Sequence, residues 1–90
     1  MSKRTLDIHN PEHMRKFQGV ILKNKRIQFE MTQRQLSNHL GVSHTSVRMW
    51  ERGSHGIPMY LLPFFTKLFS ISISDWFPKQ TIDNYLKLKP

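Results

Sequence analysis

Cysteine is absent from all 90 residues, so neither a disulfide nor a thiolate metal site is available and the core alone must hold the fold. Negative charge is scarce: 6 Asp and Glu stand against 14 Lys and Arg, a formal net charge of +8 with a pI of about 10.3. Such a balance attracts polyanions, whether nucleic acid, an acidic protein or an anionic membrane surface, and charge by itself does not choose among them. A long apolar run is missing too. The most apolar stretch, IPMYLLPFFTKLFSISISDWF, is broken by Pro63, Lys67, Ser70 and Asp75, which reads as core and not as a membrane span. The opening MSKRTLDIHNPEHMRK has no following apolar segment of the kind a secretory signal requires. A single-domain cytoplasmic protein with no membrane partner is therefore expected.

Constellations for chemistry are also lacking. The carboxylates are scattered, no Ser, His and Asp fall in a supporting context, and Gly53 and Gly56 do not form a phosphate loop. The histidines match no zinc spacing, and His39 and His44 belong to different helices. No enzyme activity, cofactor or metal is expected.

What is present is helical patterning without strand alternation. Residues 1–9 read as a flexible basic arm carrying Lys3 and Arg4. Asn10-Pro11-Glu12 is a helix start, with an N-cap side chain, a Pro in the first turn and an acid at the positive dipole end. The helix is expected to reach about Gln28. Met14, Phe17, Val20, Ile21 and Ile27 give it a rough 3.6-residue stripe, and Lys23, Lys25 and Arg26 a basic second half. Gly19 weakens the pattern, since Gly inside a helix costs roughly 1 kcal/mol against Ala.

Thr32 and Gln35 form a capping-box pattern before a helix over 33–40 with Leu36 and Leu40 inward. Gly41 permits a sharp turn, Ser43 caps a third helix over 44–52, and Gly53 ends it. A fourth helix is expected to start near Tyr60 or Leu61, with Pro63 in its first turn and Leu61, Leu62, Phe65, Leu68 and Phe69 inward. Ser74 is read as the cap of a last short element holding Asp75, Trp76 and Phe77. Trp50 and Trp76 are assigned to the core rather than to a base-stacking platform. Beyond the domain at 10–77, the extension 78–90 carries Ile82, Tyr85, Leu86 and Leu88, a candidate dimerisation helix.

Helical angles separate the two faces of the third segment. With His44 at zero and about 100° per residue, Arg48, Arg52, Thr45 and Met49 fall at roughly 40°, 80°, 100° and 140°, while Val47 and Trp50 fall near 300° and 240°. Val47 and Trp50 can dock on Leu36 and Leu40, leaving the opposite face free to enter a major groove.

KNKRIQFEMTQRQLSNHLGVSHTSVRMWERG resembles the helix-turn-helix of the Cro/repressor (Xre) family, above all the DNA-binding domains of lambdoid phage repressors. The likeness spans 17–77 and is carried by Thr32-Gln33 opening helix two, Gly41 in the turn and Glu51-x-Gly53 ending helix three. It implies an all-α, five-helix Cro/repressor-like domain with a short C-terminal extension. It further implies base-facing roles for His44, Thr45, Arg48 and Met49, and a structural ion pair between Arg26 and Glu51. Gln33 would contact phosphate and brace a neighbour, with Thr32, Ser43, Ser46 and Arg52 as further phosphate contacts. Ser37 stands where the family usually carries Ala, and the base-facing set contains no Gln or Asn, so no operator can be borrowed.

The expected function is a transcriptional regulator, a repressor, that binds double-stranded DNA at a palindromic operator as a homodimer. Two rivals remain: an antitoxin-like interaction module for a protein partner such as a toxin or another regulator, and a nonspecific nucleic-acid-binding protein.

Overall fold

The computed structural model describes residues 10–79, together with 81, 83 and 87. The arm 1–9 and the apolar positions Ile82, Tyr85, Leu86 and Leu88 expected of the extension lie outside the described residues. Among the described residues four α-helices have assigned bounds: α1 (Pro11–Gln28), α2 (Gln33–Leu40), α3 (His44–Arg52) and α4 (Leu62–Phe69). Two 3-10 turns, Met59–Leu61 and Ile73–Trp76, flank α4. The fold is all-α among the described residues, with four helices instead of five because the closing element is a 3-10 turn.

Local chemistry sets the helix ends. Asn10 Oδ1 accepts from the backbone N–H of Glu12 at 2.8 Å and of His13 at 3.2 Å, and Pro11 occupies the first helical position, where no N–H is needed. At α2 the capping box is complete: Thr32 Oγ1 accepts from Gln35 N–H at 3.0 Å and Gln35 Oε1 accepts from Thr32 N–H at 2.8 Å. Gly41, at φ 70°, ends α2 in the left-handed region, and Ser43 Oγ then accepts from Ser46 N–H at 3.1 Å to start α3. Pro63 lies in the first turn of α4, as its missing N–H demands; the 3-10 turn takes up Met59–Leu61, so α4 begins at Leu62 and not at Tyr60 or Leu61.

The closing turn differs from expectation in its cap. Ser72, not Ser74, precedes it: the Asp75 carboxylate reaches back three residues and accepts from Ser72 N–H at 2.9 Å, which places Ser74 inside the turn. The turn is tied to α1 by Gln18, whose side-chain amide donates to the Trp76 carbonyl at 3.0 Å.

Phe65 lies at the centre of the core. Its ring stacks on Phe69 at 6.0 Å, meets Trp50 edge-on at 6.5 Å and Trp76 at 5.6 Å and 45°, geometries that aromatic quadrupoles favour. Leu22, Leu36, Val47, Ile57 and Leu62 complete the buried apolar set among the described residues, and Leu40 is only partly buried. Both tryptophans are thus core residues.

The inner face of α1 is only in part the stripe expected from its apolar residues: Met14, Phe17 and Ile21 are half-buried, Ile21 against the core. Val20 and Ile27 are 56% and 54% exposed, while Gln18, Gly19 and Leu22 are buried. The reason is the way α3 approaches. A Cβ on Gly19 would sit 2.4 Å from the Trp50 carbonyl oxygen and 2.8 Å from that of Glu51. The last turn of α3 therefore presses its backbone onto α1 where only glycine fits, and the helix penalty of Gly19 is the cost of that close contact.

Gly19→Ala should consequently destabilise the protein despite the better helix propensity of Ala, because backbone carbonyls cannot step aside as a side chain can. The expected net loss is about 1 to 3 kcal/mol. Gly56→Ala is the control, since its nearest neighbours are Arg15 side-chain carbons at 3.8 Å. Equal denaturant midpoints for the two variants would contradict this packing.

Candidate nucleic-acid interface

The free face of α3 carries Thr45, Arg48 and Arg52 exposed, with His44 and Met49 half-buried at its margins. Val47 and Trp50 point the other way and are buried. The structure therefore brings His44, Thr45, Arg48 and Met49 to one side of one helix. Met49 is steadied by Ser54, whose hydroxyl donates within reach of the Met49 carbonyl at 3.2 Å and its sulfur at 3.3 Å.

The starts of α2 and α3 lie beside that face. Thr32 and Ser43 are exposed and spend one oxygen lone pair each on their caps, while the Ser43 and Ser46 hydroxyls lie 3.0 Å apart. Helix N-termini present unpaired backbone N–H groups and the positive dipole end, both suited to an anion. Gln33 and His44 are the first residues of their helices and link them, His44 Nε2 lying 3.2 Å from Gln33 Oε1.

Beneath the face lies an internal network. Arg26 Nε donates to Glu51 Oε2 at 2.6 Å and Arg26 Nη2 to Glu51 Oε1 at 3.1 Å, a two-point pair between α1 and α3. The side chains are 11% and 3% exposed. Arg26 Nη1 also donates to the Met31 carbonyl at 2.7 Å, and Gln33 Nε2 to Glu51 Oε1 at 2.9 Å. Each carboxylate oxygen is thus satisfied, as burial of a charge requires.

Two positioning residues, Arg15 and Gln18, carry no signal in the sequence. Arg15 Nε donates to the Gly53 carbonyl at 3.1 Å and so closes the C-terminus of α3, a favourable place for a cation. Gln18 holds the closing turn against α1 through the Trp76 carbonyl. Ser37, in the small-residue position of α2, is buried and donates its hydroxyl to the Arg34 carbonyl at 2.8 Å, which lets a serine stand there without an unpaired group. Arg15 and Gln18 would ordinarily be read as solvent-facing polar residues, because their partners are distant backbone carbonyls.

No helix among the described residues is long and apolar enough to cross a membrane. A family model described as Helix-turn-helix, of the Xre/Cro-like type, matches residues 22–76. Neither a search of curated proteins nor one of solved structures gives a match to the chain.

The buried pair makes a sharp stability prediction. Glu51→Ala leaves Arg26 without its carboxylate and should cost about 3 to 5 kcal/mol, whereas Glu30→Ala, at an exposed carboxylate, should cost far less. Thermal melts of the two variants decide: similar midpoints would mean that the pair contributes little.

Proposed function

The chain belongs to the Xre/Cro-like helix-turn-helix family, and from that premise we propose that this DNA-binding regulator is a sequence-specific repressor that binds a palindromic operator as a homodimer. The observation that carries the reading is the free face of α3, with Thr45 and Arg48 exposed on a helix whose other face is locked into the core.

In this reading α3 lies in the major groove. Arg48 has the donors for bidentate contact with guanine, Met49 the apolar surface for a thymine methyl, and Thr45 a hydroxyl for either a donor or an acceptor edge. Thr32, Gln33, Ser43 and Ser46 surround the helix starts and, with Arg52 at the opposite end of α3, hold backbone phosphates, which set register without reading sequence. One nine-residue helix reads only a few base pairs. Two copies at half-sites about 34 Å apart multiply the discrimination, which favours a dimer and a palindrome. Repression then needs occupancy alone, because a protein seated on a promoter excludes others from it.

Selection from a random duplex pool tests the reading. Arg48→Ala should relax preference at one position per half-site, lowering affinity for the selected sequence by about 1 to 3 kcal/mol while leaving the melting temperature unchanged. Affinity should also fall steeply with salt, since neutralised phosphates release counterions. Recovery of an unbiased pool, or selection of the same sequence by Arg48→Ala and Thr45→Ala as by the wild type, would refute α3 as reader.

A further inference from the structure

The contact between His44 Nε2 and Gln33 Oε1 at 3.2 Å fits, taken alone, either imidazole tautomer. The rest of the network removes the choice. Glu51 Oε1 accepts from Arg26 Nη2 and lies 2.9 Å from Gln33 Nε2. A carboxylate paired with a guanidinium is an acceptor only, so the amide nitrogen of Gln33 must face it. The amide oxygen is thereby turned toward His44. An amide oxygen offers lone pairs and no proton, so His44 Nε2 must be the donor. In the neutral ring the lone pair then resides on Nδ1, which has no hydrogen-bond partner among the described residues.

Resting on the reading of α3 as the groove-reading helix, we infer that the Arg26–Glu51–Gln33 chain fixes His44 in the Nε2–H tautomer, and that Nδ1 selects a base presenting an exocyclic amine, cytosine or adenine, at the position it faces. In the major groove cytosine N4 and adenine N6 are donors, whereas guanine O6 and N7 and thymine O4 are acceptors that a second lone pair meets unfavourably. The opposite tautomer would invert the preference. The buried ion pair thus acts at a distance: by orienting one amide it decides whether the first residue of α3 accepts or donates. Gln33 is a positioning residue in this scheme and His44 the reader.

Two measurements on the full chain test it. In mildly alkaline buffer, two-bond nitrogen–proton correlation on ring-labelled histidines, with His44 assigned through His44→Ala, should show the Nε2–H pattern for His44. Gln33→Leu, which leaves both Arg26 contacts to Glu51 in place, should shift it toward a tautomer mixture. An Nδ1–H pattern in the wild type, or an unchanged pattern in Gln33→Leu, overturns the inference.

Selection from a random duplex pool should then enrich cytosine or adenine at one position per half-site that depends on His44. Guanine or thymine there should weaken binding roughly tenfold, and both Gln33→Leu and His44→Ala should erase the difference. Guanine or thymine at the His44-dependent position, or no such position, sinks the inference while enrichment governed by Thr45 and Arg48 leaves the proposed function standing. A pool with no enrichment anywhere removes both.

Discussion

The arrangement depends on one buried carboxylate. Glu51 takes donors from α1 through Arg26 and from the start of α2 through Gln33, while its own backbone carbonyl lies against Gly19. A charge placed where water is excluded must be met by donors in fixed positions, or its desolvation is uncompensated. Meeting it fixes three helices relative to one another. The same residue therefore sets how far α3 stands out from the domain and how it is rotated about its axis.

From α1 the clamp is a single stripe. Arg15, Gly19, Leu22 and Arg26 follow one another at helical spacing along the face turned toward α3. Arg15 closes the carbonyl end of α3, Gly19 admits its backbone, Leu22 enters the core and Arg26 holds Glu51. Two guanidiniums of a strongly basic chain are thus used internally, and Arg34, Arg48 and Arg52 remain exposed.

Legibility from sequence follows the range of the interaction. The caps at Asn10, Thr32 and Ser43 and the turns at Gly41 and Gly53 were readable, because a cap is a contract between residues two or three apart. The two faces of α3 were readable for the same reason, since Val47 and Trp50 differ from Thr45 and Arg48 within two turns. The inner face of α1 was not. Its buried positions are a glutamine, a glycine and one leucine, so an apolar periodicity pointed to Val20 and Ile27, which face solvent. Of the buried three only Gln18 is polar, and its partner, the Trp76 carbonyl, is 58 residues away. The 3-10 closing turn was misread in its cap because serines at 70, 72 and 74 compete on paper, and only the reach of Asp75 back to Ser72 separates them.

The polar contacts also divide by what they control. Arg15, Gln18 and Ser37 each end on a backbone carbonyl and finish there. Gln33 does not, because its amide has two ends of opposite hydrogen-bonding sense. Held by Glu51 at one end, it must present oxygen at the other, to the first residue of α3. A carboxamide, with its donor and acceptor on separate atoms of one rigid plane, carries such a constraint from the interior to a surface residue. Lysine, with donors only, would hold Glu51 but favour a lone pair on His44 Nε2, and a carboxylate, with acceptors only, would oppose Glu51. The position between Glu51 and His44 thus asks for an amide, and the geometry of the buried pair reaches the outer face of the helix through it.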